Sequence, residues 1–292
     1  MNRKLAIIAD QIGDDLETAL SIMQQKGYHN VELHNVFGKT IEALRDAEVW
    51  KIKALLERYD MNVVNIASTI FFMCPLYDDY KISLFKPSFK VVEGDVKTHL
   101  DYLEKACKIA EILNCKTIRV FPFRQPDNVE KKIVGTKEHQ EKIIEYLKQA
   151  VDVVKRYDKT IVLENCPYSH TPKGQMTYEM ACAINDEHLR LLWDPGNSYR
   201  AMKERVPKEY LDLDLREEYR LIQDKIGYVH VKNYHKDNEK FIHTALDAGD
   251  IDYDALLKNM NGDYVFSLEP ELEYNQVLHD MDVLQTIGKG NE

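Results

Sequence analysis

Glu164, Asp194, His230 and Glu269 are the residues whose types and spacing point most directly to chemistry. They follow one another at intervals of 30, 36 and 39 residues. Each interval is about one strand-helix-strand unit, which takes ~30 residues or more. Each residue also stands at the end of a short apolar run. The four runs are Val162-Leu163-Glu164-Asn165, Leu192-Trp193-Asp194-Pro195-Gly196-Asn197, Val229-His230-Val231-Lys232-Asn233 and Ser267-Leu268-Glu269-Pro270-Glu271. Neighbouring strands of one barrel would bring four ligand-type groups to one point. Three carboxylates gathered in a dry barrel mouth raise one another's pKa unless a cation compensates. A divalent metal is such a cation. One imidazole with three carboxylates is a borderline-hard set suited to Mn²⁺, Co²⁺, Mg²⁺ or Zn²⁺. Singly, each acid reads as a rim residue and His230 as a core histidine; the recurrence carries the reading.

The elements that must position these residues repeat along the whole chain. Eight short apolar runs occur, at Leu5–Ala9, Val31–Leu33, Val63–Ala67, Thr117–Phe121, Thr160–Leu163, Leu189–Trp193, Tyr228–Val231 and Tyr264–Leu268. Such runs suit parallel strands buried on both faces. Amphipathic segments alternate with them: Asp14–Lys26, Ile41–Tyr59, Asp95–Leu113, Lys137–Tyr157, Thr177–Ile184, part of Glu204–Ile226, Tyr253–Met260 and Gln276–Ile287. The alternation predicts α/β architecture with a parallel sheet. No GxGxxG or GxxxxGK[ST] follows a strand, so an open nucleotide-binding sheet lacks its usual signature. Eight units fill a (β/α)8 TIM barrel without remainder, and the expectation is a single domain over residues 1–292. Catalytic residues of such barrels sit where the strands end, at the C-terminal face.

One connection is long. Ser68–Asp95 follows the third strand and carries Ile70, Phe71, Phe72, Met73, Leu76, Tyr77, Tyr80, Phe85 and Phe89. Its aromatic content argues for an ordered excursion, packed on the barrel rim or closing over a ligand.

Composition removes other classes. The 292 residues are 44% hydrophobic and 30% charged, enough for a sizeable core. Lys and Arg total 39 against 49 Asp and Glu, a net charge of −10, which argues against a broad phosphate-gripping surface and hence against nucleic acid. Leu5–Ala9 is too short for a signal-peptide core or a membrane span, so the expectation is a cytoplasmic protein without a membrane partner. Five cysteines without a CxxC pair argue against disulfides or a thiolate zinc site.

The four strand-end runs resemble those of the xylose-isomerase-like TIM-barrel superfamily. Val31-Glu32-Leu33 after Gly27 and the Asp247–Asp252 segment resemble it too, so the similarity extends over essentially the whole chain. That group holds sugar (phosphate) isomerases and epimerases, inosose dehydratases and apurinic endonucleases. The resemblance implies one divalent metal bound by Glu164, Asp194, His230 and Glu269. In the family's ketose epimerases the two glutamates also act as acid and base on opposite faces of the substrate, a role the resemblance extends to Glu164 and Glu269. The chemistry is coherent: a metal chelated by a carbonyl and its neighbouring hydroxyl acidifies the adjacent C–H. One carboxylate then removes the proton to give an enediolate and the other returns it.

Departures narrow the reaction. The family's endonucleases use a three-metal cluster with further histidines on strands three and four and after the strand-six aspartate. Here those strands read Asn65-Ile66-Ala67-Ser68-Thr69 and Arg119-Val120-Phe121-Pro122-Phe123, Asn197 takes the third place, and only His243 remains of an expected Asp-x-His pair. The ketose epimerases place a glutamate, a histidine and an arginine where this chain has His170, Asn197 and Lys236. Each of the three can still hydrogen-bond a polyol, so they are expected as substrate contacts. Lys232, two residues beyond His230, shares its face on an extended strand and is expected to bind substrate or aid proton transfer, with a solvated rim position as the alternative. Arg119 and Arg124 flank strand four, where an anion could be held. Glu32 is expected to point into the barrel in a supporting role, Trp193 to pack in the core and Cys166 to be a bystander.

The expected activity is a metal-dependent isomerase or epimerase of a small sugar or sugar-derived hydroxy-carbonyl compound. The alternative is an inosose-type keto-polyol dehydratase, sharing the first proton abstraction. An apurinic endonuclease and a non-catalytic sugar-binding barrel rank below both. A homo-oligomer is compatible with the sequence.

Overall fold

The computed structural model describes residues 3–84, 89–130, 135–201 and 206–288. Phe85, and the start of the segment expected from Glu204, lie outside the described residues. Eight parallel strands close into a barrel: β1 (Lys4–Ile8), β2 (Asn30–Leu33), β3 (Asn62–Ile66), β4 (Thr117–Val120), β5 (Thr160–Glu164), β6 (Leu189–Trp193), β7 (Ile226–Val231) and β8 (Val265–Leu268). Their order round the barrel follows the chain, and β1 closes it by pairing with both β2 and β8. The (β/α)8 expectation therefore holds, and the strands fall within two residues of the apolar runs.

Outside the strands lie α1 (Leu16–Gln25), α2 (Asp46–Arg58), α3 (Val96–Ile112), α4 (Lys137–Lys155), α5 (Gly174–Ile184), α6 (Pro195–Tyr199), α7 (Leu215–Ile222), α8 (Tyr253–Lys258) and α9 (Tyr274–Gly288). Their starts follow local chemistry. Asp15, Asp95 and Thr136 each accept the backbone N–H three residues on, at the heads of α1, α3 and α4. The segment Ile41–Tyr59 is not one helix: a short 3-10 turn at Ile41–Ala43 precedes α2, whose first turn is closed by Glu48 reaching back to the Arg45 N–H.

Alternation along the strands divides the barrel interior into levels. Val162, Leu192 and Tyr228 form an apolar plug with Val64 and Val265. Two residues further along their strands stand Glu164, Asp194 and His230. Four residues beyond Tyr228 and Val265 stand Lys232 and Glu269. The outer faces of the strands pack on the helices, with Leu20, Met23, Leu103, Leu147, Val154 and Leu256 in the main core. Burying such side chains stabilises by about 1.5–3 kcal/mol each, which gives the polar mouth a rigid support.

The long connection after β3 packs onto this frame. Phe71 is fully buried and stacks on Phe123 at 4.7 Å between centroids, while Phe72 meets Phe121 at 4.9 Å and Phe89 at 5.9 Å. Buried Glu42 accepts both the Thr69 N–H and its hydroxyl, at 2.8 and 2.7 Å. Two hairpins that the apolar runs did not announce leave the rim, Asn35–Val36 with Lys39–Thr40 and Asn233–Asp237 with Lys240–Thr244.

Candidate metal and substrate site

Glu164 ends β5, Asp194 follows β6, His230 lies one residue inside the end of β7, and Glu269 follows β8. The structure brings all four together, with one ligand-type atom from each lying within 4.8 Å of the others. Metal–ligand bonds of about 2.0–2.2 Å put opposite ligands roughly 4.2 Å apart, so modest closure around one ion satisfies the set. Three of the four residues are buried and Glu269 is partly so.

Each of the four is held by another residue. Asp194 caps α6, its Oδ1 accepting the Asn197 N–H at 2.8 Å. Asn165 accepts the Asp194 N–H at 2.8 Å and donates to the Asp194 carbonyl at 2.9 Å. Asn197 Nδ2 donates to Glu164 Oε1 at 3.1 Å. Gly196 is required here, because a Cβ on it would stand 2.8 Å from the Lys232 carbonyl oxygen and 3.0 Å from Lys232 Cγ. Glu32, fully buried on β2, accepts from His230 Nε2 at 3.1 Å, from Asn65 Nδ2 at 2.7 Å and from the Tyr228 hydroxyl at 3.1 Å. A carboxylate behind a histidine in this way sets its orientation and leaves the opposite nitrogen for a ligand. His230 Nδ1 is that nitrogen; it makes no hydrogen bond of good geometry and faces Glu269 Oε2 at 3.3 Å and Glu164 Oε1 at 3.7 Å, the oxygens that would share a metal with it.

Two buried cations complete the cluster. Arg119 lies inside β4; its Nη1 donates to Glu164 Oε2 at 3.2 Å and to Glu269 Oε1 at 3.4 Å, while Nε and Nη2 bond the Ser68 and Ala67 carbonyls. Lys232 Nζ stands 2.6 Å from Glu269 Oε2 and 2.9 Å from Asp194 Oδ2. Of the two readings of Lys232, the inward one is correct.

Electrostatics follow from these contacts. Burial pushes Glu269 up, but Lys232, His230 and Arg119 together hold it well below the usual carboxylate range. Burial dominates for Asp194, lifting it to about 6 against the pull of Lys232. His230 would be lowered by burial, yet Glu32 and Glu269 raise it well above an ordinary histidine. Four carboxylates (Glu32, Glu164, Asp194 and Glu269) thus face two fixed cations, Arg119 and Lys232. The remaining two negative charges match one divalent ion with a neutral imidazole. The residues present therefore fit a metal by donor type, by spacing, by charge and by His230 Nδ1 facing the Glu164 and Glu269 oxygens.

The other expected contacts divide. Asn197 joins the cluster through Glu164. His170 does not: its backbone N–H bonds the Phe123 carbonyl, and its buried ring lies against His139 at 4.6 Å and Tyr80 at 6.2 Å, beneath the loop after β3. Burial and neighbouring His139 lower it to about 3. Lys236 also stands apart, exposed on the hairpin after β7 with Nζ 5.7 Å from the Phe241 ring centroid. Both corrections have the same cause. Beyond a strand end the chain turns, and a sequence offset no longer measures direction. Arg119, expected from the sequence to flank strand four where an anion could be held, lies inside β4 and holds carboxylates of the site; a lone charge inside an apolar parallel strand is the signal of such a barrel-interior partner. Trp193 is fully buried and donates to Glu218 at 3.0 Å, as a core residue does. Burial raises the Cys166 thiol to about 12, so it is no ready nucleophile.

Comparison with known proteins agrees with this architecture. The family model described as xylose isomerase-like TIM barrel matches residues 20–287. No curated protein sequence matches the chain significantly. Among solved structures, the probable 3-DHS dehydratase AsbF of Bacillus anthracis, involved in petrobactin synthesis, is 13% identical with a TM-score of 0.70, over 97% of this chain and 98% of that one. The IOLI protein with a bound zinc atom is 14% identical with a TM-score of 0.68, over 99% of each chain. D-allulose 3-epimerase from Methylomonas sp., in complex with D-allulose, is 15% identical with a TM-score of 0.67, over 99% of this chain and 95% of that one. No helix among the described residues is long and apolar enough to cross a membrane.

Proposed function

The chain belongs to the xylose isomerase-like TIM barrel family, and from that premise we propose that it is a divalent-metal-dependent isomerase or epimerase of a small sugar or sugar-derived hydroxy-carbonyl compound. The observation that carries this reading is the convergence of Glu164, Asp194, His230 and Glu269 within 4.8 Å at the C-terminal mouth, with His230 Nδ1 left for a ligand. These four residues would hold one Mn²⁺, Co²⁺, Mg²⁺ or Zn²⁺. When bound, such an ion polarises a carbonyl and acidifies the neighbouring C–H.

The protein's own groups do the rest. Glu164 and Glu269 are the acid and base: one carboxylate takes the proton from carbon, and the other returns a proton to give the isomer or epimer. Arg119, donating from one Nη1 to both, offsets their mutual repulsion and fixes one oxygen of each. Lys232, between Asp194 and Glu269, is placed to donate to an oxygen as charge develops on it. Phe72, Phe121 and Tyr168 form an apolar cluster that meets Arg119, whose guanidinium lies 4.8 Å from the Phe121 ring centroid, and limits water there. Asn197 orients Glu164 rather than touching substrate first.

Dehydration of a keto-polyol is the second reading. Lys232 favours it, because a buried ammonium beside Glu269 can protonate a departing hydroxyl, and a solved relative of this fold is described as a dehydratase.

The test is solvent exchange. Metal-loaded protein is incubated in D₂O with a panel of ketoses and inososes, and deuterium in recovered substrate is followed by NMR. Incorporation at one carbon supports isomerase or epimerase chemistry, and loss of water with enone absorbance supports dehydration. Binding without exchange or water loss would leave a sugar-binding barrel instead.

A further inference from the structure

Beside the cluster lies a second polar group with the opposite electrostatic character. Arg200, which ends α6, has its guanidinium carbon 4.9 Å from the Tyr234 ring centroid and 5.2 Å from that of Tyr168. Among the described residues no carboxylate lies within 4.0 Å of it, and its Nε is shielded from solvent without a hydrogen-bond partner. Aromatic faces attract a cation but do not neutralise it. A shielded arginine normally has an anion as well.

Two more unpartnered polar groups pack round the same tyrosine ring. Tyr234 is fully buried, and its hydroxyl has no partner. His243 packs on the Tyr234 ring at 4.4 Å between centroids, and its Nδ1 is likewise shielded and unpartnered. A second guanidinium, that of Arg124, lies 5.5 Å from the same Tyr168 ring. The nearby acid is Glu271, half-exposed, with its oxygens 3.7 Å from Lys232 Nζ and 3.6 Å from His243 Nε2; its charge also acts on Arg200, from beyond 4.0 Å. The group adjoins the cluster directly: a Cβ on Gly196, two residues after Asp194, would touch both the Lys232 carbonyl and the Tyr234 ring.

We propose that Arg200, Tyr234 and His243 form an oxyanion subsite next to the cluster, so that the substrate is a sugar-derived acid or a sugar phosphate rather than a neutral sugar. The Arg200 Nε–H, the Tyr234 O–H and a ring N–H of His243 are the donors such a group requires. This deepens the metal-dependent sugar reading and rests on it for the location of the polyol part.

Calorimetric binding of three probes tests the idea on Mn²⁺-loaded protein: D-glucitol, D-gluconate and D-glucitol 6-phosphate. At least one anionic probe should bind about tenfold or more tightly than D-glucitol, and whichever gains identifies carboxylate or phosphate as the group. Arg200→Met should erase that preference, Arg200→Lys should restore part of it, and Tyr234→Phe, which removes only the hydroxyl, should reduce it severalfold. Equal affinity for the three probes, binding by none of them, or a preference that survives in folded Arg200→Met overturns the proposal. Glu164→Gln separates the two readings. If probe binding is indifferent to Glu164→Gln and to chelation while the anion preference still depends on Arg200, the metal–sugar reading has failed and the oxyanion subsite stands.

Discussion

Strands β5–β8 and strands β2–β4 meet at the same barrel mouth with different contributions. The first set carries the four atoms that suit a cation, on Glu164, Asp194, His230 and Glu269. The second carries residues that hold those four directly or through one neighbour: Glu32 behind His230, Asn65 behind Glu32, and Arg119 between Glu164 and Glu269. One side is arranged to change partners during a reaction, and the other to keep its partners throughout. Such an asymmetry makes different substitutions fail in different ways. Loss on the ligand side should abolish chemistry while the fold survives. Loss on the holding side should be felt first in stability or metal affinity.

The largest effect belongs to the ligand side. Glu164→Gln and Glu269→Gln keep shape but remove the proton acceptor and a ligand charge, so each should lower solvent-deuterium exchange by about 10³-fold or more. Circular dichroism should stay unchanged. Retained exchange in either variant would remove that residue from the acid–base pair.

Arg119→Met tests the holding side. It leaves two glutamates facing each other in a buried space without their shared cation, and breaking such a buried group typically costs about 3–5 kcal/mol. Urea unfolding without metal should show a loss of that order, and saturating Mn²⁺ should recover part of it by supplying positive charge to the same carboxylates. A variant as stable as the parent without metal would show that Lys232 and His230 suffice, and the division between the two sides would blur.

Glu32→Gln acts on one bond. It keeps a hydrogen-bond acceptor for His230 Nε2 but removes the carboxylate charge, and changes of this kind behind a metal-binding histidine lower affinity by about 10–100-fold. Titration with Zn²⁺ or Mn²⁺ should show that shift with little change in thermal stability of the metal-free protein. An unaltered affinity would mean that His230 is not a ligand.

The two sides were unequally legible in the sequence. Glu164, Asp194, His230 and Glu269 could be read because they stand at or next to strand ends, one per repeat, three of them directly before a Pro or Asn and His230 one residue inside its strand end. Arg119 and Asn65 sit inside or at the edge of strands, and whether such a side chain faces the barrel or its helices depends on the pleat and on a register shift between β2 and β3. Glu32 was placed inward for a related reason, as a lone acid in an apolar strand, yet its contact with a residue 198 positions away exists only once the barrel closes. His170 and Lys236 show the opposite error. Their offsets from Glu164 and His230 suggested substrate contacts, but loop geometry turned one beneath Tyr80 and the other out along Phe241. Arg200 and Tyr234 carried no sequence signal, because neither the short helix α6 nor the hairpin after β7 follows from the eightfold repeat.

The effect most remote from the chemistry concerns the long loop after β3 rather than either set of strands. His99, fully buried on α3, accepts the Phe71 N–H at Nδ1 over 3.0 Å and faces the Met73 carbonyl through Nε2 at 3.3 Å, so it ties the start of the long loop to the helix layer. Burial lowers its pKa to about 4. The unfolded chain takes up a proton on this ring near pH 6.5, while the folded chain refuses it until about pH 4. Its contribution to stability is therefore complete above pH ~6.5 and falls away as the pH drops from there toward 4, by up to about 3 kcal/mol in total. His99→Gln retains an acceptor and a donor without a titrating group. Its stability relative to the parent, measured by urea unfolding, should be nearly constant from pH 7.5 to about 6.5 and rise from there as the pH is lowered to 4.5. Because Asp194, His170 and Asp280 are common to both proteins, the difference isolates the one ring. A difference independent of pH would show that the Phe71 tie survives protonation, and that the loop is held by its stacked aromatics instead.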